Sequence, residues 1–229
     1  MPLPTFGEKM LGFYRRLHWV AKLPAGIEVM NPYARPDVLG HVEQFLRRFF
    51  ADRHPRVYVL GINPGRFGAG LTGLTFTDPV AMEQFCNLPN TFPKRRELSS
   101  VFMYELIDAW GGVRPFYRRF FLSAVSPLGF LRQGKNFNWY HPRIRKIVTP
   151  FIVKTLAQQL ACGGRREAVI LLGRGENQQH FTAINRAHEF FKTVYALDHP
   201  RFIMQYRRTR LAAYLRQYRE TFSQAGGTP

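Results

Sequence analysis

With 229 residues, 45% of them hydrophobic and only 21% charged, the chain has enough apolar material for one large folded domain and too little charge for a disordered one. Thirty-three Lys and Arg against 15 Asp and Glu leave a net charge of +18, carried by 26 Arg and 7 Lys, which directs the expected partner toward polyanions. No run approaches the ~18 apolar residues of a membrane-spanning helix, and Cys86 and Cys162 are too few for a disulfide scaffold, a structural zinc site or a four-cysteine iron–sulfur cluster.

Arg suits bidentate phosphate contacts and stacking on bases better than Lys, because the guanidinium is planar and forked. Arg richness also follows from genomic base composition, so the charge points to nucleic acid without saying which kind. The opening MPLPTFGEKM lacks an apolar signal core, which predicts a cytoplasmic, nucleoid-associated protein. The two cysteines read as small buried hydrophobes.

In chain order, residues 38–50 have amphipathic helical spacing and complete a helical extension over 1–55, ahead of a core at 56–224. A short apolar, β-branched run at 57–61 reads as the first buried strand. A helix follows at 97–110, with Val101, Tyr104, Leu106 and Ile107 on one side and Gly111-Gly112 closing it. The second strand is 120–125. Residues 144–160 have helical spacing but contain Pro150, which predicts a kink or a fresh start. A third strand at 168–172, a helix at 177–190 and a fourth strand at 193–197 come next. The last helix, 207–222, places Leu211, Tyr214, Leu215, Tyr218 and Phe222 on one stripe. Four strands alternating with helices predict a single-domain, three-layer α/β/α fold on a four-stranded parallel sheet.

Ligands of such sheets bind beyond the carboxyl ends of the strands. The first strand is followed by Ile62-Asn63-Pro64-Gly65-Arg66-Phe67-Gly68, the second by Ser126-Pro127-Leu128-Gly129, the third by Gly173-Arg174-Gly175-Glu176, and the fourth by Asp198-His199-Pro200-Arg201. Gly68-x-Gly70-x-x-Gly73 formally matches a dinucleotide fingerprint, yet it starts too far past the strand and Leu74-Thr75-Phe76-Thr77-Asp78-Pro79 opens no helix. A nucleotide-cofactor oxidoreductase is thereby disfavoured.

Asn63, between glycines and before a proline, reads either as a turn-capping side chain or as an amide held out to orient water. An amide accepts no proton at neutral pH, so a catalytic Asn63 orients and hydrogen-bonds. His199 reads as a structural histidine or as an active-site group at a strand's carboxyl end. Phe76 reads as core or as a flat apolar face across the same crevice. Residues 199–219 hold six Arg and no acid, with Phe202-Ile203-Met204 among them, the mixture expected of a surface that grips phosphates and inserts an apolar wedge. A solvated helix face with core residues at helical spacing explains 211–222 but leaves 201–210 less well explained.

Gly61-Ile62-Asn63-Pro64-Gly65-Arg66-Phe67-Gly68, then Thr72-Gly73-Leu74-Thr75-Phe76, then His199-Pro200 resemble the uracil-DNA glycosylase superfamily, in particular its single-strand-selective monofunctional (SMUG) branch. The similarity runs from about Val57 to Phe222. It implies a parallel sheet of order 2-1-3-4 and a glycosylase that flips uracil out of DNA and hydrolyses its bond to the sugar. It also implies that Asn63 positions the water, Phe76 stacks on the base, and His199 hydrogen-bonds the charge on the departing base. Ile62, Gly65 and Phe67 then belong to the base pocket. Arg66, Arg174, Arg201, Phe202, Arg207 and Arg208 face DNA, and Ile203, four residues past the histidine, is the wedge. Arg174, at the start of a helix, reads as a phosphate clamp.

Two departures mark a divergent second SMUG-type subfamily. The Asn that reads the uracil edge in related enzymes is missing from Leu122-Ser123-Ala124-Val125-Ser126-Pro127, which leaves Ser123 or Ser126 as readers. After His199-Pro200, the expected Ser-Pro is Arg201-Phe202. One hydroxyl discriminates less sharply than an amide, so uracil is the expected substrate and tolerance of other deaminated bases, such as hypoxanthine or xanthine, is left open. No Lys in these motifs could form a Schiff base, so a monomeric, monofunctional hydrolase without metal or cofactor is expected, acting on single- or double-stranded DNA. The competing expectation is a non-catalytic binder of nucleic acid or damaged sites on the same fold.

Overall fold

The four apolar runs pair as one parallel sheet in the computed structural model of the chain, which describes residues 3–227. In chain order the elements are α1 (Phe6–Arg15), β1 (Ile27–Met30), α2 (Pro36–Phe49), β2 (Arg56–Gly61), α3 (Ala69–Thr72), α4 (Pro79–Gln84), α5 (Leu98–Ala109), α6 (Val113–Arg119), β3 (Phe120–Ala124), β4 (Gly129–Arg132) and β5 (Lys135–Phe137). They continue with α7 (Arg145–Ala161), β6 (Gly164–Leu172), α8 (Glu176–His188), β7 (Thr193–Leu197), α9 (Pro200–Tyr206) and α10 (Leu211–Gly226).

The main sheet has the order β3-β2-β6-β7, which is 2-1-3-4 for the four strands read from the sequence. Central β2 pairs Val57 with Phe120 and Gly61 with Ala124 on one side, and Tyr58 with Val169 on the other. Every β2 residue is buried, as expected for a parallel strand covered on both faces. Helices flank this sheet, and one hydrophobic cluster, running from Phe6 to Phe222 and including Cys86 and Cys162, joins the layers into a single domain. Among the described residues, no helix is long and apolar enough to cross a membrane.

Three features differ from the sequence expectation. A second, antiparallel sheet, β1-β4-β5, was unforeseen. Its β4–β5 hairpin turns at Gln133 and Gly134, both at positive φ (50° and 68°), the backbone that a tight hairpin requires. Pro150 neither ends nor restarts its helix: it lies in the second turn of α7, where the missing N–H removes a single hydrogen bond and the helix continues to Ala161. The last helix begins at Leu211 rather than 207, because His199 caps a separate helix, α9, and a 3-10 turn at Arg208–Arg210 intervenes.

Candidate active site

Beyond the carboxyl ends of β2 and β3 lies a cavity of about 310 Å³. Its wall is drawn from the loop after β2 (Gly61 to Gly65), from Phe76, from Glu97 and Ser99 at the start of α5, from Ala124, from Asn136 and Asn138 of the hairpin, and from His199 and Arg201. A larger apolar groove of about 740 Å³ between α1 and α7 contains none of the candidate catalytic, base-binding or DNA-binding residues read from the sequence.

Asn63 enters this cavity with its amide fixed. Its Oδ1 accepts the backbone N–H of Trp139 (3.2 Å), and the Trp139 indole donates to Asn177 Oδ1 at the start of α8 (2.9 Å). The turn that follows the β4–β5 hairpin therefore holds the amide from outside the loop that bears it. One Oδ1 lone pair and both Nδ2 hydrogens have no partner among the described residues.

Phe76 sits at φ 57°, in the left-handed region where a bulky residue is strained. A buried network holds it there: Thr72 donates its hydroxyl to the Thr77 carbonyl (2.7 Å), and the Thr77 N–H bonds the Leu74 carbonyl (3.1 Å). The ring closes over Gly61, where any Cβ would lie 2.8 Å from its tip, so only glycine fits at the end of β2. The Phe76 and His199 rings stand 5.8 Å apart, forming two walls of one slot.

His199 caps α9. Its Nδ1 accepts the backbone N–H of Arg201 (3.2 Å), which leaves the proton on Nε2. Burial, with the Arg201 cation second, pushes its pKa down to about 4, so the ring is a neutral Nε2–H donor across the neutral pH range.

Other predicted residues fall into three groups. Ile62, Gly65 and Arg201 line the cavity with Asn63, Phe76 and His199. Ser123 and Ser126, read as base readers, do not: Ser123 donates to Gln159 Oε1 of α7 (2.5 Å) and Ser126 to the Leu128 carbonyl (2.8 Å). Strand alternation explains the first, since Ser123 faces α7 and its neighbour Ala124 faces the cavity; Ser126 lies past the end of β3, where its hydroxyl closes a local turn. Phe67 is also off the wall, with the guanidinium groups of Arg66 and Arg95 over its ring at 4.2 and 3.8 Å from the centroid.

Ile203 is no wedge. It is 0% exposed on the inner side of α9, whereas Phe202 (39%) and Tyr206 (58%) project outward, 5.6 Å apart, with Arg207 over Phe202 at 5.2 Å. Helical spacing, not a count along an extended loop, decides which side chain faces out. Ile203→Ala is therefore expected to destabilise the fold by about 2–5 kcal/mol. Phe202→Ala should leave stability nearly unchanged and weaken action on duplex more than on single-stranded DNA. Denaturation curves and paired excision assays read the two effects; equal losses on both DNA forms for Phe202→Ala would remove it as a wedge.

Arg66, Arg201, Arg207 and Arg208 are exposed. Arg174 is half engaged: its Nε donates to the Ala196 carbonyl (3.2 Å) and lies 4.0 Å from Asp198. Among the described residues, no three His, Cys, Asp or Glu side chains form a metal-binding group. Sequence reading missed Trp139, Asn136, Asn138, Ser99 and Glu97. Only Glu97 left a signal, an acid directly after Lys94-Arg95-Arg96 at the head of a predicted helix.

A parallel 2-1-3-4 sheet with an amide, an aromatic face and a neutral imidazole converging at its carboxyl edge suits a hydrolase acting on a flat base. The sequence matches the uracil DNA glycosylase superfamily over residues 48–223, and the chain belongs to that superfamily. It is a DNA glycosylase of the base-excision repair type, with DNA as its substrate. Among solved structures, that of SMUG2 from Pedobacter heparinus is similar at a TM-score of 0.93 and 38% identity, covering 97% of this chain and 98% of that one. No curated protein matches the chain.

Proposed function

We propose that the protein removes uracil from DNA by hydrolysing its bond to the sugar, as a monofunctional enzyme that leaves an abasic site and acts as a monomer without a cofactor. The convergence of Asn63, Phe76 and His199 on one cavity of about 310 Å³ carries this reading. A base inside a duplex is out of reach, so the nucleotide must be extruded, at an unstacking cost of a few kcal/mol that phosphate contacts and the Phe202–Tyr206 pair offset. The +18 charge fits that demand, and binding to DNA would keep the enzyme at the nucleoid.

With Ser123 and Ser126 engaged elsewhere, the reading of the base passes to the hairpin. Asn136 spends its Oδ1 on the Arg66 N–H (3.0 Å), which leaves Nδ2 to donate; Asn138 spends its Nδ2 on the Tyr140 hydroxyl (2.7 Å), which leaves Oδ1 to accept. A donor and an acceptor side by side match the alternating carbonyl and N–H edge of uracil, an edge that hypoxanthine and xanthine share in part. Labelled oligonucleotides carrying uracil, hypoxanthine or xanthine, single- and double-stranded, followed by alkali, test the proposal. Strand breaks at the uracil position are expected; binding without breaks would make the protein a non-catalytic damage binder.

DNA affinity should fall steeply with salt, because each phosphate contact releases counterions. Replacing Arg201 or Arg174 by Ala is expected to flatten the log–log salt slope by about one unit each. A slope near zero for the wild type would remove the electrostatic account.

A further inference from the structure

Glu97 contributes the cavity's single carboxylate among the described residues, and the fold anchors it firmly. Its backbone N–H donates to Asp78 Oδ2 (2.8 Å), while Asp78 Oδ1 caps α4 through Val80 (3.0 Å) and Ala81 (2.8 Å). The head of α5 is thus tied to a fixed turn. The carboxylate rests against the loop that bears Asn63: a Cβ on Gly68 would lie 1.9 Å from Oε2, and one on Gly65 3.0 Å from Oε1. Glycines at these two places leave the space that Glu97 occupies.

Two structural roles do not apply. Glu97 stands at the N-cap of α5 but makes no capping hydrogen bond with its side chain. Among the described residues it also has no ion pair or side-chain hydrogen bond, and it is partly buried in the cavity wall. A partly buried carboxylate with no protein partner is left open to the cavity, and the cavity's chemistry requires a bound water there. Asn63 can orient that water, yet its amide cannot take up a proton.

We propose that Glu97 accepts the proton of the attacking water that Asn63 orients; this rests on the glycosylase reading above. The bond from C1′ to the base nitrogen breaks with its electron pair leaving on the base, stabilised by the His199 Nε2–H. The water oxygen bonds to C1′, and its proton passes to the Glu97 carboxylate and from there to solvent or to the departed base. Three charged or titratable groups face Glu97: Arg201 and His199 from the start of α9, and Asp78 from the cap of α4. Burial, reinforced by Asp78 and opposed by Arg201, raises its pKa above the ordinary carboxylate value, which moves it toward the range of a useful base.

The test is single-turnover excision from a single-stranded uracil oligonucleotide between pH 5 and 9, for wild type, Glu97→Gln and Glu97→Asp. The wild-type rate should rise through an acid limb to a plateau as the carboxylate ionises. Glu97→Gln should lower the plateau about 10²-fold and lose the limb. Glu97→Asp should keep the limb with a smaller loss. Melting temperature and oligonucleotide affinity should be unchanged in both. Glu97→Gln with the wild-type rate and profile overturns the assignment, and so does a loss in rate that keeps the limb or tracks a fall in melting temperature across both variants. No excision by the wild type overturns the glycosylase reading and this assignment with it.

Discussion

Asn63→Ala is expected to lower single-turnover uracil excision on the order of 10³-fold, with oligonucleotide affinity and melting temperature close to wild type. The loss follows from geometry. Asn63 meets the cavity as an amide whose orientation is set by the Trp139 N–H, itself locked through Asn177, so a water bound to it is held at one place and angle. Truncation removes that fixed point and leaves the walls, the phosphate contacts and the core untouched. The side chain is only partly buried and stands in a loop, so little stability depends on it. Rates equal to wild type would reduce Asn63 to the turn-capping role that its sequence also allows.

His199→Ala should cost about 10²–10³-fold, the usual effect of deleting one donor to developing charge. The penalty should be smaller for 5-fluorouracil, whose departing anion is intrinsically more stable, than for uracil. Equal penalties on both bases with a large fall in melting temperature would make His199 structural. Its titration provides a second readout. The folded-state pKa, about 4, lies below the ordinary 6.5, so as pH falls the unfolded chain takes the proton first. The stability tied to the neutral ring is complete above about pH 6.5 and is lost as pH falls toward 4, by on the order of 3 kcal/mol at the acid end. His199→Asn should therefore lose less melting temperature than wild type between pH 6.5 and 4. His199 adds no limb to the rate above pH 5, so a limb there reports another group, Glu97 in our proposal.

The motif loops carried most of what was legible about the site. Asn63 and His199 each directly follow a strand that apolar runs made visible, and the carboxyl-end rule then places them at one crevice. A Thr5-x-x-Glu8 capping box also announces α1, where both reciprocal bonds form. The hairpin gave no comparable warning. β4 and β5 have four and three residues, too few to show alternation, and their Gln-Gly turn is not among the strongest hairpin pairs. Asn136, on that hairpin, and Asn138 and Trp139, in the turn directly after it, fix or complete the site and were missed with it.

Composition, strand runs and punctuating glycines and prolines thus determined the fold class, the four parallel strands and the loops where chemistry gathers, because these depend on local patterns of burial. Facing was decided by tertiary structure alone. Ser123 and Ala124 are neighbours on one strand, and only the packing of Gln159 from α7 reveals which of them meets the cavity. Ile203 and Phe202 are neighbours on one helix, and only the docking of α9 onto the core turns the first inward and the second out. Glu97 lies more than thirty residues from Asn63 in the chain, and two missing Cβ atoms bring its carboxylate against the loop that bears that amide. Such contacts arise between elements far apart in sequence, where no local periodicity records which surfaces will meet.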